Sequence, residues 1–402
     1  MKKQLNRRQF VQTSAAAAAL AANPYWNLDR AVAQESTNDR PLVGAIGLGG
    51  QGTGIARRAN GYGNVVAVCD VHRAHAERAK EKHFANAEIY EDYRQLLDRQ
   101  DIEAVTIGTP DHWHTPIALA ALEAGKHVYC EKPLTLTIDE GKKLVAAVKK
   151  TGKVMQVGTQ QRGDQFALFG RAVATVRSGQ LGKITKVTVS LPLSTEEGGP
   201  FEAQPVSAGL NWDMWLGQAP QADYCPERCH FRFRWWYEYS GGICTDWGAH
   251  HMDVAQWALD VEHAGPLTID GTATRLPQIP GGFNTPKLVT VNYLYPGDVH
   301  VQLLAQAPGD EGVTFEGEKG RIYVNRGRIT GKAIEEQDAD PKLKEAVMAD
   351  VEKLFKGNTA KMGDHMGNFF EAWRFGKWPI SDVESQHRSV SACHLANLSI
   401  RL

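Results

Sequence analysis

Leu42-Val43-Gly44-Ala45-Ile46-Gly47 runs without a charge into Leu48-Gly49-Gly50-Gln51-Gly52. The first six residues form an uninterrupted apolar run of strand length, the pattern of a strand covered on both faces. The glycines have the spacing G-x-G-x-x-G, and Asp70 stands eighteen residues beyond Gly52, at the end of a second apolar run over 65–70. This pattern has a mechanism. Gly47 permits a tight turn, Gly49 lets backbone approach a pyrophosphate, and Gly52 lets a helix pack closely on the sheet. The helix N-terminus around Gly50 and Gln51 offers free N–H groups and a partial positive charge to phosphates. Asp70 can accept hydrogen bonds from ribose hydroxyls and repels a 2′-phosphate, which favours NAD over NADP; Arg73, three residues on, would soften that repulsion. The alternative is a glycine-rich turn with no ligand.

Outward from this stretch, buried-type strands are predicted at 102–108, 127–130 and 154–157, with helical segments near 73–83, 91–98, 114–124 and 137–150. Strands alternating with helices predict a doubly wound parallel sheet of the Rossmann kind over 41–160. Beyond 160 the pattern changes. Residues 183–191 alternate apolar and polar; 288–294 and 299–304 flank the turn Pro296-Gly297-Asp298; 312–316 and 321–324 flank Gly317-Glu318-Lys319-Gly320. The expected fold class is α/β: the Rossmann domain plus a C-terminal α+β domain, 161–402, with an open, mainly antiparallel sheet.

The chain has 402 residues, 42% of them hydrophobic, enough for two packed domains. Lys+Arg number 45 against Asp+Glu 46, and no basic run follows residue 10, so a nucleic-acid partner is not expected. No apolar stretch reaches the roughly 18 residues of a membrane span. Six scattered cysteines do not make a disulfide framework. Cys225 and Cys229 with His230 form a C-x₃-C pattern without a second pair; no metal site is expected there, and a Cys225–Cys229 disulfide is a minority alternative. Residues 1–33 read as a targeting segment: Lys2, Lys3, Arg7 and Arg8, an alanine-rich stretch over 15–22, and the small-residue site Ala31-Val32-Ala33. Asn6-Arg7-Arg8-Gln9-Phe10-Val11 resembles the twin-arginine consensus, and 34–40 is a polar linker. The expectation is export, already folded, by the twin-arginine machinery to the periplasm, with the cofactor carried along tightly bound.

Three further segments carry a resemblance. Gly108-Thr109-Pro110-Asp111-His112-Trp113-His114, Gly125-Lys126-His127-Val128-Tyr129-Cys130-Glu131-Lys132-Pro133-Leu134 and Gly241-Gly242-Ile243-Cys244-Thr245-Asp246-Trp247-Gly248-Ala249-His250 stand in that order. They resemble the T-P-x-x-x-H, G-K-H-V-x-x-E-K-P and G-G-x-x-x-D-x-G-x-H segments of the Gfo/Idh/MocA oxidoreductases. The resemblance implies NAD-dependent hydride transfer at a hydroxyl-bearing carbon of a sugar, glycoside or polyol. It implies His250 as acid/base with Lys132 and Asp246 completing the site, Thr109, Pro110, His114, Glu131 and Lys132 beside the cofactor, and homo-oligomer contacts through the second sheet.

The residues support part of this directly. Lys132 follows a buried-type strand and precedes a proline, which places it at the carboxyl edge of the sheet, where it can stabilise developing negative charge. Asp246 and His250 are four apart; on a helix they would share a face, with the carboxylate orienting the imidazole and favouring its protonated form. His251 should face elsewhere. Trp113 and His114 are expected on the nicotinamide side, and Gln160 and Arg162 near the crevice. In the run over 231–239, Arg234, Trp236 and Tyr237 are expected to contact carbohydrate, since aromatic faces stack on C–H surfaces. The same residue types serve a packed interface equally well, and Trp212 and Trp215 lean toward packing. Two other functions stay open: a redox-assisted glycoside hydrolase or lyase that recycles its NAD, and a sugar-binding protein without turnover. The relatives that act as NAD-dependent glycosidases lack the lysine found at 132.

Overall fold

In a computed structural model of the chain, residues 40–306, 311–354 and 364–402 are described. The expected signal segment, and the linker apart from Arg40, lie outside the described residues. Six strands form the first sheet: β1 (Leu42–Ile46), β2 (Asn64–Cys69), β3 (Glu88–Tyr90), β4 (Ala104–Ile107), β5 (His127–Glu131) and β6 (Met155–Gly158). All pairings are parallel, in the order β3-β2-β1-β4-β5-β6. β4 is buried at every residue because both faces are covered. The sequence reading missed β3, a three-residue edge strand whose partly exposed Glu-Ile-Tyr carries no apolar run.

Connecting helices are α1 (Gly50–Ala59), α2 (Arg73–His83), α3 (Tyr93–Leu97), α4 (Asp111–Glu123) and α5 (Ile138–Thr151). α5 starts at a capping box between Thr137 and Glu140 and stops at Gly152, φ +67°. α4 begins three residues earlier than the periodicity predicts, just after Pro110, and this draws Asp111 into its first turn. The chain order β1, β4 around a reversal at β1 leaves a crevice at the carboxyl ends of the strands, the usual ligand position in such sheets.

The second sheet comprises β7 (Ile184–Ser190), β8 (Thr268–Asp270), β9 (Val289–Tyr295), β10 (Val299–Ala305), β11 (Gly312–Gly317), β12 (Gly320–Val324) and β13 (Ile329–Thr330). Its order is β13-β12-β11-β7-β10-β9-β8; only β7 and β10 run parallel, so the expectation of a mainly antiparallel sheet holds. Val187, Tyr293, Leu303 and Phe315 face one side and pack on helices; Lys186 and Asn292 on the other side are exposed. The helices of this half are α6 (Phe166–Arg177), α7 (Trp212–Leu216), α8 (Ile243–Asp246), α9 (Gly248–Leu259), α10 (Lys332–Ala339), α11 (Pro341–Lys353), α12 (His365–Phe375) and α13 (Val383–Arg401).

The last 39 residues reach back to the first sheet as well. Met366, Phe369 and Phe370 of α12 join the core of β1 and β2 with Val43, Ala45 and Val65, while Val383 and Val390 of α13 join that of β5 and α5. Val157 N donates to Ser381 O at 3.0 Å and Gln156 Nε2 to His365 O at 2.7 Å. The end of the chain thus packs on both halves: Ala392, Cys393 and Ala396 of α13 also belong to the core of the second sheet. All six cysteines are buried free thiols, Cys225 and Cys229 included.

Candidate active site

A cleft of about 690 Å³ runs along the carboxyl ends of the first sheet and is walled on the far side by the second half of the chain. At one end, three chain passes interlock through glycines. A Cβ at Gly52 would lie 1.9 Å from Gly47 O, one at Gly108 would lie 2.5 Å from Gly52 Cα, and Gly47 sits at φ +79°. Gly49 and Gly50 are different: a Cβ there would meet nothing, because these residues face the open cleft. α1 has no side-chain cap and no acidic residue in its first turn, so its first N–H groups are left for a ligand. That arrangement fits a pyrophosphate.

Asp70 sits beside it. Its Oδ2 accepts from Leu48 N at 2.7 Å and its Oδ1 from His72 N at 2.8 Å, which fixes the carboxylate at the cleft wall. Arg73 does not soften this charge as expected. It opens α2 on the exposed side and binds Glu77, Nε to Oε1 2.7 Å, outside the cleft lining.

Midway, Glu131 at the end of β5 accepts at Oε1 from Gln51 Nε2 at 2.9 Å and from Gln160 Nε2 at 2.8 Å. It packs on Gly158, where a Cβ would lie 2.7 Å from Oε1, and burial pushes its carboxyl up. Thr109 and Pro110 line the cleft, and Thr109 Oγ1 is a buried atom without a protein partner. His114 does not line it. Its Nδ1 lies 2.7 Å from Pro133 O and its Nε2 3.0 Å from Thr109 O, so it staples the two motif loops together from behind. With α4 starting at Asp111, it is Asp111 and Trp113 that face the cleft instead.

At the other end lies the expected catalytic set, with one difference. Lys132 Nζ donates to Asp246 Oδ1 at 2.5 Å and to Asp246 O at 3.0 Å, and Arg234 Nε stands 3.5 Å from Asp246 Oδ2. Burial works to raise the Asp246 carboxyl, but Lys132 and Arg234 hold it below its ordinary value. The predicted Asp246–His250 hydrogen bond does not form. α8 ends at Asp246 and α9 starts at Gly248, so the two residues are not on one continuous helix and the carboxylate turns to the cations. His250 lines the cleft, is 4% exposed, and has a buried Nδ1 without a partner. Burial first, then Lys132 and Arg326, hold its imidazole well below the ordinary value, so the bias is toward the neutral form rather than the protonated one. His251 is fully buried and faces Gln161, away from the cleft, as expected.

Three of the four expected substrate contacts move elsewhere. Arg162 is buried, bidentate to Asp253 at 2.7 Å twice and bonded to Glu262 at 2.8 Å. Trp236 donates its indole N–H to Glu227 O at 2.8 Å and lies under the Arg228 guanidinium. Tyr237 bonds Asn397 at 3.2 Å beneath Arg401. The run over 231–239 mostly packs: Trp235, Trp236 and Tyr239 form a cluster with Trp212 and Trp215, the latter two stacked at 4.8 Å. Only Phe231, Phe233 and Arg234 of that run reach the cleft.

Asp111 and Arg326 are among the cleft residues that escaped the sequence reading. Asp111 is buried, receives the Ser240 hydroxyl, and is pushed up to about 7 by burial. It was visible only as a variable position of its motif. Arg326, from the turn between β12 and β13, stacks 4.4 Å over Trp247. Nothing local in Asn325-Arg326-Gly327 indicates that this turn reaches the site.

The chain belongs to the Gfo/Idh/MocA oxidoreductase family: residues 42–159 match its NAD-binding Rossmann-fold domain and residues 174–352 its C-terminal alpha/beta domain. An inositol 2-dehydrogenase from Salmonella paratyphi B is 36% identical over 145 residues, 35% of this chain and 43% of that protein. A glycosyl hydrolase family 109 protein from Shewanella sp. (strain MR-4) is 38% identical over 122 residues, 28% of this chain and 26% of that one. The chain thus matches under half the length of these curated relatives. The WlbA dehydrogenase from Bordetella pertussis, solved with NADH and UDP-GlcNAcA, superposes with a TM-score of 0.64 at 17% identity, over 91% of this chain and 97% of its own, a likeness of fold.

Proposed function

We propose that the protein transfers a hydride between a hydroxyl-bearing carbon of a sugar, glycoside or polyol and NAD, with His250 as acid/base. The observation that carries this reading is a neutral, buried imidazole beside a Lys132–Asp246 ion pair, in the same cleft as the Gly49–Gly50 backbone and Asp70. The names of the inositol 2-dehydrogenase and WlbA relatives support the substrate class. NAD is favoured over NADP because Asp70 stands at the cleft wall while Arg73 is turned away.

Each part has a task. N–H groups of the uncapped α1 terminus would hold the pyrophosphate of NAD and Asp70 would accept from its ribose hydroxyls. Bound NAD supplies the hydride acceptor. Lys132, fixed by Asp246, donates to the substrate oxygen and stabilises the negative charge that develops on it. Neutral His250 takes the hydroxyl proton and, in the reverse direction, returns it. Arg234 and Phe231 at the mouth are placed to contact substrate hydroxyls and C–H faces. Export by the twin-arginine route with NAD retained belongs to the same reading, as does a homo-oligomer formed through the exposed face of the second sheet.

The glycosyl hydrolase relative favours a second reading, redox-neutral cleavage with recycled NAD; Lys132 counts against it. Absorbance of reduced nicotinamide across a panel of sugars, glycosides and polyols separates the two. Net reduction of nicotinamide, bound or added, is the expected result. Product without net reduction would replace it with the recycling reading, and sugar binding with neither would sink both.

A further inference from the structure

The fold takes apart the Cys225, Cys229, His230 pattern. The two thiols are buried, whereas His230 turns outward and meets His72 and His75 across the ribose end of the cleft. The ring centroids are 4.5 Å apart for His72–His75, 5.3 Å for His72–His230 and 5.2 Å for His75–His230. One ligand nitrogen from each ring lies within 4.8 Å of the other two.

Two independent observations single out this trio. His72 Nδ1 is buried with no hydrogen-bond partner. His230 holds φ +52°, the left-handed region that disfavours a side chain, and such strain persists where surrounding structure requires it. The trio is also assembled by rigid parts: His72 caps α2, and His75 stands three residues on, on the same helix face. Behind it, Asp70 Oδ2 lies 3.4 Å from His75 Nδ1, the carboxylate–imidazole pairing that orients a metal-bound histidine.

We propose that His72, His75 and His230 bind one divalent transition-metal cation of the zinc class at the ribose end of the cofactor cleft. Three imidazoles with an open fourth position suit zinc. Tetrahedral ligand nitrogens at bonds of about 2.0–2.1 Å lie about 3.4 Å apart, so the rings need to close by about an ångström. The cation would tie the loop before the aromatic cluster to the start of α2, closing the two halves of the chain over the cofactor end. This departs from the sequence expectation of no metal, and it does not depend on which reaction the site performs.

The test uses the full-length chain without a histidine tag, stripped with chelator and titrated with Zn²⁺ by calorimetry, and with Co²⁺ by absorption. Expected are one equivalent bound, a rise in Tm on adding Zn²⁺, and at least tenfold weaker binding in both His230→Gly and His75→Gln. The glycine variant accepts φ +52° without strain, so its metal-free Tm should hold or rise; loss of binding in it is then loss of a ligand. No stoichiometric binding, binding that survives both substitutions, or a thiolate charge-transfer band with Co²⁺ would each overturn the assignment.

Discussion

His250 is surrounded by cations rather than by the carboxylate that its spacing suggested, and this sets its chemistry. Burial and then Lys132 and Arg326 depress its pKa below the ordinary 6.5, so it stays neutral, and competent to accept a proton, into mildly acidic solution. For alcohol oxidation the acidic limb of the kcat/KM–pH profile should therefore lie below 6.5. Lys132→Met removes one depressing charge and should move that limb up while lowering kcat/KM; a limb that stays put would exclude Lys132 as a neighbour that tunes His250. His250→Ala should cost about 10²–10⁴-fold in kcat with NAD still bound, as measured by fluorescence titration. The identities Lys132, Asp246 and His250 were legible because they sit in dense motifs. The direction of Asp246 was not, because a helix break at Trp247 is invisible to i,i+4 counting.

Arg162, Asp253 and Glu262 illustrate what elements add. Arg162 ends the turn after β6, Asp253 lies on α9, and Gln386 and Ser389 of α13 also donate to Asp253, at 2.8 and 2.9 Å. An arginine expected at the substrate thus joins three elements inside the protein. Arg162→Ala takes the guanidinium from buried Asp253, while Glu262 keeps Arg177 at 3.2 Å, and should cost about 3–5 kcal/mol in denaturant unfolding. In the folded fraction, KM for substrate should be unchanged; a selective rise in KM with normal stability would restore Arg162 to the substrate site. The aromatic run over 231–239 carries the same lesson. A Trp-rich stretch looks alike whether it stacks on sugar or packs in a core, and here Trp235 and Trp236 are buried in one cluster with the stacked pair Trp212 and Trp215.

Across the whole molecule, burial keeps many imidazoles neutral. His112 and His394 are lowered to about 4 and His251 to about 3, in each case chiefly by burial. Unfolding returns each toward 6.5, so below that pH the unfolded chain binds more protons and stability falls as pH drops, until the folded groups protonate between about 4 and 3. Each such group adds a slope of up to about 1.4 kcal/mol per pH unit. Asp111, raised to about 7, acts oppositely: its contribution is lost as pH rises through neutrality. Urea midpoints at pH 7, 6 and 5 should decrease in that order; a flat series would mean that these histidines exchange protons in the native state.

The sequence by itself determined the doubly wound first sheet, the glycine turn with Asp70, the mainly antiparallel second sheet and the motifs that bring Lys132, Asp246 and His250 to one cleft. Each is a local pattern: strand-length apolar runs, a fixed glycine spacing, dense motifs. Tertiary structure alone decided which partner Asp246 takes, that burial and nearby cations bias His250 away from its protonated form, that α12 and the start of α13 reach the first sheet, and that His230 meets His72 and His75 from more than 150 residues away in the chain. Those outcomes depend on burial and on which distant charges come within a few ångströms, and no residue's immediate neighbours in sequence carry that information.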